Sequence, residues 1–205
     1  MKTTILTFYL LVITLTSCNS NDNETGYSLR LPPITTTGEN TFGCYIDGKL
    51  LLPRDGDGTF GYPSHAVDYF VSGNVPTAYK SSLTVHDYKS GNAGMLQLNI
   101  ENTQNGAGEY LIKESNCQEW VSGNPPPTIN LLVKWKDEQT GEIKYYCSIE
   151  DTGILNVLRY DVPNNILSAT FSCSVVNYYD PNDIIEITEG RFDIIWGTIG
   201  DKEFP

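Results

Sequence analysis

From residue 41 onward, apolar and polar positions alternate along most of this chain with a period of two, the mark of half-buried strands. Phe42, Cys44 and Ile46 alternate with Gly43 and Tyr45, and Asp47-Gly48 follows at once. An Asp-Gly pair between two strand-like runs predicts a hairpin, because a type I′ turn needs positive φ at both central residues. The return strand runs from Lys49 to Pro53; in that register Cys44 faces Leu51 and Tyr45 faces Leu50. Further strands are predicted at Val67–Val71, Ser82–Tyr88, Met95–Glu101, Glu109–Lys113, Ile129–Trp135 and Glu142–Ile149. The last four are Ile154–Val162, Ile166–Val175, Ile184–Thr188 and Arg191–Trp196. Turn formers such as Asn105-Gly106, Thr140-Gly141 and Asn164-Asn165 separate them. Many short strands with regular turns indicate an all-β fold, an antiparallel β-sandwich or a β-barrel-like meander. No run of ten residues keeps an apolar 3.6-residue period, so little helix is expected beyond one short segment around Lys113–Val121. Gly190 ahead of Arg191-Phe192-Asp193 predicts a bulge or a tight start to the final strand.

The first forty residues follow a different pattern. Lys2 precedes a continuous apolar stretch from Ile5 to Leu15, the layout of an export signal. The stretch is too short to cross a bilayer as a helix, which takes about 20 apolar residues. Leu15-Thr16-Ser17-Cys18 resembles the lipobox of bacterial lipoproteins, with a bulky residue three positions before the cysteine. That resemblance implies removal of residues 1–17 as a signal peptide and acylation of Cys18, with palmitate-type chains anchoring the protein in a membrane. Asn19, not Asp, follows the cysteine, so the inner-membrane retention signal is missing and the outer membrane is the expected location. Residues 18–40, polar and rich in Asn, Thr, Gly and Pro, are expected to form a flexible tether with an end-to-end distance of roughly 25 Å. Residues 41–205 then form a single β-rich domain.

Charge and cysteine usage narrow the partners. The chain carries a net charge of -12, which argues against nucleic acid, whose binding depends on clustered Lys and Arg. It equally disfavours lying flat on an anionic membrane. Once Cys18 carries lipid, Cys44, Cys117, Cys147 and Cys173 remain. Four cysteines in an oxidising compartment permit two disulfides in three connectivities. None forms a C-x-x-C pair, so neither a zinc site nor thioredoxin-like chemistry is expected.

Candidate chemistry is sparse. The two histidines are His65, in a loop-like stretch after Ser64, and His86, in a strand. A Ser64–His86–aspartate triad is conceivable, since triads are defined by geometry, but there is no G-x-S-x-G and no H-E-x-x-H. No catalytic residue is therefore assigned. Asp55-Gly56-Asp57-Gly58 offers two carboxylates to Ca²⁺, yet Thr59 and Phe60 do not continue a loop of that kind; neither a metal nor another cofactor is expected. Thirteen Tyr and three Trp are many for this length. Trp120, near Pro125-Pro126-Pro127, is the candidate ligand contact, whereas Trp135 and Trp196 read as packing residues.

Two groups of residues together resemble a known family. The first is Asn40-Thr41-Phe42-Gly43-Cys44-Tyr45-Ile46-Asp47-Gly48-Lys49. The second comprises Gly153-Ile154-Leu155-Asn156-Val157, then Ile166 to Ser172, then Ile187-Thr188-Glu189-Gly190-Arg191-Phe192-Asp193-Ile194. Their order is similar to an uncharacterised family of Bacteroidota outer-membrane lipoproteins, in which position 169 is a glycine; here it is Ala169. The resemblance implies location and fold, and no catalytic residue. The expected function is a lipid-anchored, cell-envelope β-domain that binds or supports an assembly. The anchor supplies the membrane contact; the protein or glycan partner is open. Two alternatives stay open: a small-ligand carrier for lipid or glycan with a barrel cavity, and an envelope hydrolase.

Overall fold

A computed structural model describes residues 29–58, 64–72, 80–89, 94–101, 106–117, 128–137 and 139–205. Its strands are β1 (Thr41–Ile46), β2 (Lys49–Leu51), β3 (Val67–Ser72), β4 (Lys80–His86), β5 (Met95–Glu101) and β6 (Gly108–Leu111). They continue with β7 (Asn130–Lys136), β8 (Ile143–Ser148), β9 (Ile154–Asp161), β10 (Ile166–Asn177) and β11 (Asp180–Ile195). All eleven belong to one sheet, in the order β2-β1-β11-β10-β8-β7-β5-β4-β3, with β9 beside β10 and β6 beside β9. Every ladder is antiparallel.

The first hairpin has the expected register, Cys44 opposite Leu51 and Tyr45 opposite Leu50. Its turn has φ of 50° at Asp47 and 72° at Gly48, the positive pair that Asp-Gly supplies at low strain. The two last strands expected from the sequence are one continuous strand, β11, interrupted by a bulge. Its register shifts against β10 between Phe171 and Cys173, and against β1 between Gly43 and Tyr45. Glu189 there has φ of 51°. Gly190 lies against the face of Phe171, where an added Cβ would come within 2.5 Å of the ring.

The sheet does not close into a barrel. It folds over on itself, because β10 pairs with β9 along its first half and with β8 only at residues 175–177. Alternate residues of both halves then point into one core. Phe42, Ile46, Ile187, Phe192 and Ile194 come from one wall; Leu83, Leu98, Leu131, Val133 and Trp135 come from the other. Phe171, Cys173 and Val175 join that core together with Phe192 and Ile194, and Trp196 packs on its margin. Side chains from both walls fill this core. A parallel bridge between Arg54 and Asp87 links the chain after β2 to the chain after β4. A bidentate ion pair reinforces it, Arg54 Nε and Nη2 donating to the Asp87 carboxylate at 2.7 and 2.8 Å.

Two expectations are corrected. Residues 113–117 are not helical. The amides of Lys113 and Ser115 donate sideways to Ile129 O and Ser148 O instead of along a helix; the remainder of that expected helix lies outside the described residues. The other correction concerns the tether: the last part of 18–40 is folded onto the sheet, held by the contacts described next. Among the described residues the helical content is one 3-10 turn, Ile199–Asp201.

Candidate ligand cleft

The segment 31–40 is fixed by a carboxylate on β11. Asp193, 1% exposed, accepts from Thr35 Oγ1 at 2.7 Å, from the amide of Thr37 at 3.0 Å and from the amide of Gly38 at 2.9 Å. It also accepts from the amide of Glu39 at 3.2 Å, and Ser168 Oγ donates to it from β10. Burial pushes the Asp193 carboxyl up, but the hydrogen bonds from Ser168, Thr35, Glu39 and Gly38 outweigh it and hold the carboxyl below its ordinary value. Asn40 continues the attachment: its Oδ1 accepts from the Ile195 amide at 2.7 Å and its Nδ2 donates to Thr198 Oγ1 at 3.1 Å. A second carboxylate fixes the C-terminal segment. Asp55 accepts from the amides of Phe204 and Ala66 at 2.7 and 2.6 Å. Lys202 then bridges the two segments by donating to the carbonyls of Asn40 (2.7 Å) and Glu39 (3.1 Å).

Between the two segments and the first hairpin lies a cleft of about 410 Å³. Leu31, Pro32 and Pro33 form one wall, and Phe204 and Pro205 the other. Phe42, Leu52 and Pro53 form the floor, and Arg30, Lys202 and Glu203 are the charged groups on its lining. Leu31 and Pro32 approach Gly43 so closely that an added Cβ would lie 2.8–2.9 Å from them, which shows how tightly the segment is seated. Lys202 Nζ stands 5.3 Å from the Phe204 ring centroid. Burial lowers its pKa, and the charge of Glu39 pulls the other way. An apolar concavity with few, fixed polar groups is the usual form of a small-molecule site.

Asp137 and Tyr146 line a second concavity near Trp135 and belong to a charged cluster beside it. Lys144 lies between Asp137 (3.0 Å) and Asp183 (2.9 Å), and Asp183 also accepts from Asn177 at 2.9 Å and from Tyr146 Oη at 3.2 Å. Hydrogen bonds that Lys144 donates to both carboxylates hold its pKa well above its ordinary value. These groups satisfy one another and tie β8 to β11, so the cluster reads as a structural staple.

The residues singled out from the sequence are scattered. Cys18 and Trp120 lie outside the described residues. Of the four remaining cysteines, Cys117 and Cys147 form a disulfide, while Cys44 and Cys173 are free and buried. Burial, with a smaller contribution from Glu186, pushes the Cys173 thiol up to about 12; burial, together with Cys173, raises that of Cys44. Both are therefore inert thiols packed as small apolar groups. His65 is exposed. His86 stacks on Tyr88 with ring centroids 4.9 Å apart, and burial lowers its pKa against the opposing charge of Asp68. Ser64 and Tyr88 both border the space beside Gly56, and no hydrogen bond joins Ser64 to His86. Asp55, one of the two candidate calcium carboxylates, is occupied by backbone amides. Trp135 is core, and Trp196 packs against Tyr160 at 6.0 Å.

The part that Asp193, Asp55 and Lys202 play in holding the cleft was not evident in the sequence, where Asp55 read only as a candidate calcium carboxylate. Asp193 sits in an alternating strand at an inward-leaning position beside Phe192 and Ile194. A charged residue among core positions was the one available signal, because such a group is buried only with partners. Comparison with protein-family models, with curated proteins and with solved structures finds no match to this chain.

Proposed function

We propose that this chain is a lipid-anchored domain of the bacterial cell envelope that acts by binding, with the cleft beside Arg30 as its ligand site. The observation that carries the reading is that two carboxylates hold the two chain segments that flank one apolar cleft. Asp193 fixes residues 35–39 and Asp55 fixes Phe204, so hydrogen bonds within the fold set the segments on both sides of the cleft. Preorganisation of this kind lowers the ordering cost that a ligand must overcome. The leader and Lipobox-like Leu15-Thr16-Ser17-Cys18 support the anchor, and Asn19 supports the outer membrane.

Thermal unfolding of the full chain in mild detergent, against separate panels of glycans, lipids and divalent metals, tests the binding role. A ligand at 100 times its Kd stabilises by about 2.7 kcal/mol, which for a domain of this size raises Tm by roughly 5–10 °C. One ligand class is expected to give that shift, and a cleft-filling Thr41→Trp variant to abolish it. A cooperative transition that no panel member moves would contradict the proposal.

A further inference from the structure

The concavity at Trp135 lies at the other end of β1 from the Arg30 cleft. Thr41 and Phe42 line the cleft, whereas Asp47, in the turn after β1, lines the concavity. Its volume is about 240 Å³. One donor on its lining is left without an acceptor by the fold: Trp135 is 5% exposed, yet its Nε1 has no hydrogen-bond partner. The topology gives the direction of that donor. Trp135 is on β7, which lies between β5 and β8. The Cε3–Cζ3 edge of its indole is turned to the β5 side, where a Cβ on Gly94 would come within 2.6 Å of Cζ3. The Nε1 edge is the opposite one, turned toward Tyr146 on β8 and Ile185 on β11, and these two residues line the concavity with Trp135. A buried N–H in this position costs the fold free energy until something accepts from it.

The rest of the lining is polar and balanced in charge. Asp47 and Asp137 stand against Lys49 and Lys136, and beside them Lys144 lies between Asp137 and Asp183, so the six charges cancel. Asp137 is already occupied, accepting from the amides of Gln139 and Thr140 at 2.8 and 2.9 Å and from Lys144 at 3.0 Å. The side chains left to meet a ligand are those of Asp47 and Gln139, both exposed, and of Lys136. An anion would face carboxylates here and a cation would face ammonium groups. A neutral molecule with several hydroxyls suits the mixture, because a hydroxyl both donates and accepts. The volume falls below the roughly 300 Å³ at which drug-sized pockets begin, which leaves room for one small ring. We infer that this concavity is a second binding site, for a neutral pyranose, free or at the end of a glycan. One hydroxyl accepts from Trp135 Nε1, and its neighbours donate to Asp47 and accept from Lys136 and Gln139. The site depends neither on the anchor nor on the Arg30 cleft.

The test uses the full chain in mild detergent with nitrogen-15 in its tryptophan indoles, the Trp135 signal being assigned by its loss in Trp135→Phe. The probes are the methyl pyranosides of glucose, galactose and mannose, with inorganic phosphate and glycine as charged counterparts. At least one pyranoside is expected to move the Trp135 indole signal saturably, with a Kd of about 1–10 mM, while phosphate and glycine leave it in place. A disaccharide ending in the same sugar then separates the two sources: equal or tighter binding assigns the site to glycan ends, and no binding assigns it to the free sugar. Saturation transfer to the sugar protons reads the variants. Trp135→Phe keeps the ring and removes the donor, and should weaken binding about tenfold. Asp47→Gly keeps the positive φ of the turn, removes an exposed carboxylate and should weaken binding about fivefold. Thr41→Trp, which fills the Arg30 cleft, should change neither readout, so failure of the cleft and failure of this site are told apart. A Trp135 signal that no pyranoside moves would mean a concavity holding water only and would overturn the proposal. A larger response to phosphate or glycine would overturn the choice of a neutral ligand, and full affinity in both Trp135→Phe and Asp47→Gly would overturn the location.

Discussion

Replacing Asp193 is the most informative perturbation of the cleft's architecture. The carboxylate receives hydrogen bonds from Ser168, Thr35 and the amides of Thr37, Gly38 and Glu39, at a position 1% exposed. Hydrogen bonds to a charged group contribute about 1.5–3 kcal/mol each, and donors left unpaired in a buried site add a penalty. The terms are not additive, because the 35–39 segment can detach and hydrate its amides. Asp193→Ala should therefore destabilise by about 3–5 kcal/mol, the scale for removing one side of a buried charged network. For a domain of this size that lowers Tm by roughly 6–20 °C. Asp193→Asn keeps one acceptor oxygen and should destabilise by about 2–3 kcal/mol. The pH dependence has a definite sign. The folded-state pKa of Asp193 lies below its unfolded value. Its contribution is thus fully present above the unfolded carboxylate pKa of about 4 and is lost as pH falls through the folded value. The gap between wild type and Asp193→Asn should accordingly narrow below about pH 4. Thermal unfolding across pH, with amide hydrogen exchange at Thr37, Gly38 and Glu39, measures both effects. A variant within 1 kcal/mol of wild type, with those three amides still protected, would refute the assignment of Asp193 as the latch.

Other expectations follow from single features. The Cys117–Cys147 disulfide closes a loop with a sequence separation of 30, so reduction should destabilise by about 3.5 kcal/mol on the chain-entropy scale. Alkylation of the unreduced, denatured, mature protein should then modify Cys44 and Cys173 alone, and labelling of Cys117 or Cys147 would count against the pairing. Gly153→Ala places a Cβ 2.1 Å from the Ser172 carbonyl oxygen and 2.3 Å from Cys173 Cβ; neither can yield easily, and a loss of about 3 kcal/mol is expected. Gly48→Ala meets no neighbouring atom and loses only its favourable positive φ of 72°, a penalty of about 1–2 kcal/mol. Chemical denaturation of the two variants should rank them in that order, and a reversed order would contradict the packing at Gly153.

Local rules made much of the fold legible. The Asp47-Gly48 turn fixed the first hairpin and its register, because turn chemistry and alternation agree there and involve neighbours in sequence. Gly190 disclosed the bulge of β11, since a glycine inside a strand marks a close approach, here to Phe171. The sequence could not reveal that Ile184–Thr188 and Arg191–Trp196 form one strand: a bulge breaks the alternation just as a turn would. Residues 31–40 read as a tether because they lack apolar periodicity. They are held mainly by hydrogen bonds to one distant carboxylate, Asp193, more than 150 positions away, and a polar latch leaves no periodic trace. The cleft was hidden for the same reason, being the meeting of two chain segments that are far apart in sequence. At Lys113–Cys117 helix-compatible residues follow the pairing demands of β8 and Ile129 instead, a case of tertiary hydrogen bonding overriding local preference.

Placement in the envelope is the central claim, since the proposed role is that of an anchored envelope domain. The most direct measurement expresses the full chain and its Cys18→Ala variant in a bacterium that processes lipoproteins, then determines detergent-phase partitioning and the mass of the N-terminal peptide. The account predicts that the wild-type protein begins at Cys18, carries acyl mass there and enters the detergent phase, and that Cys18→Ala does neither. An unmodified Cys18 in wild-type protein recovered from the aqueous phase would contradict it.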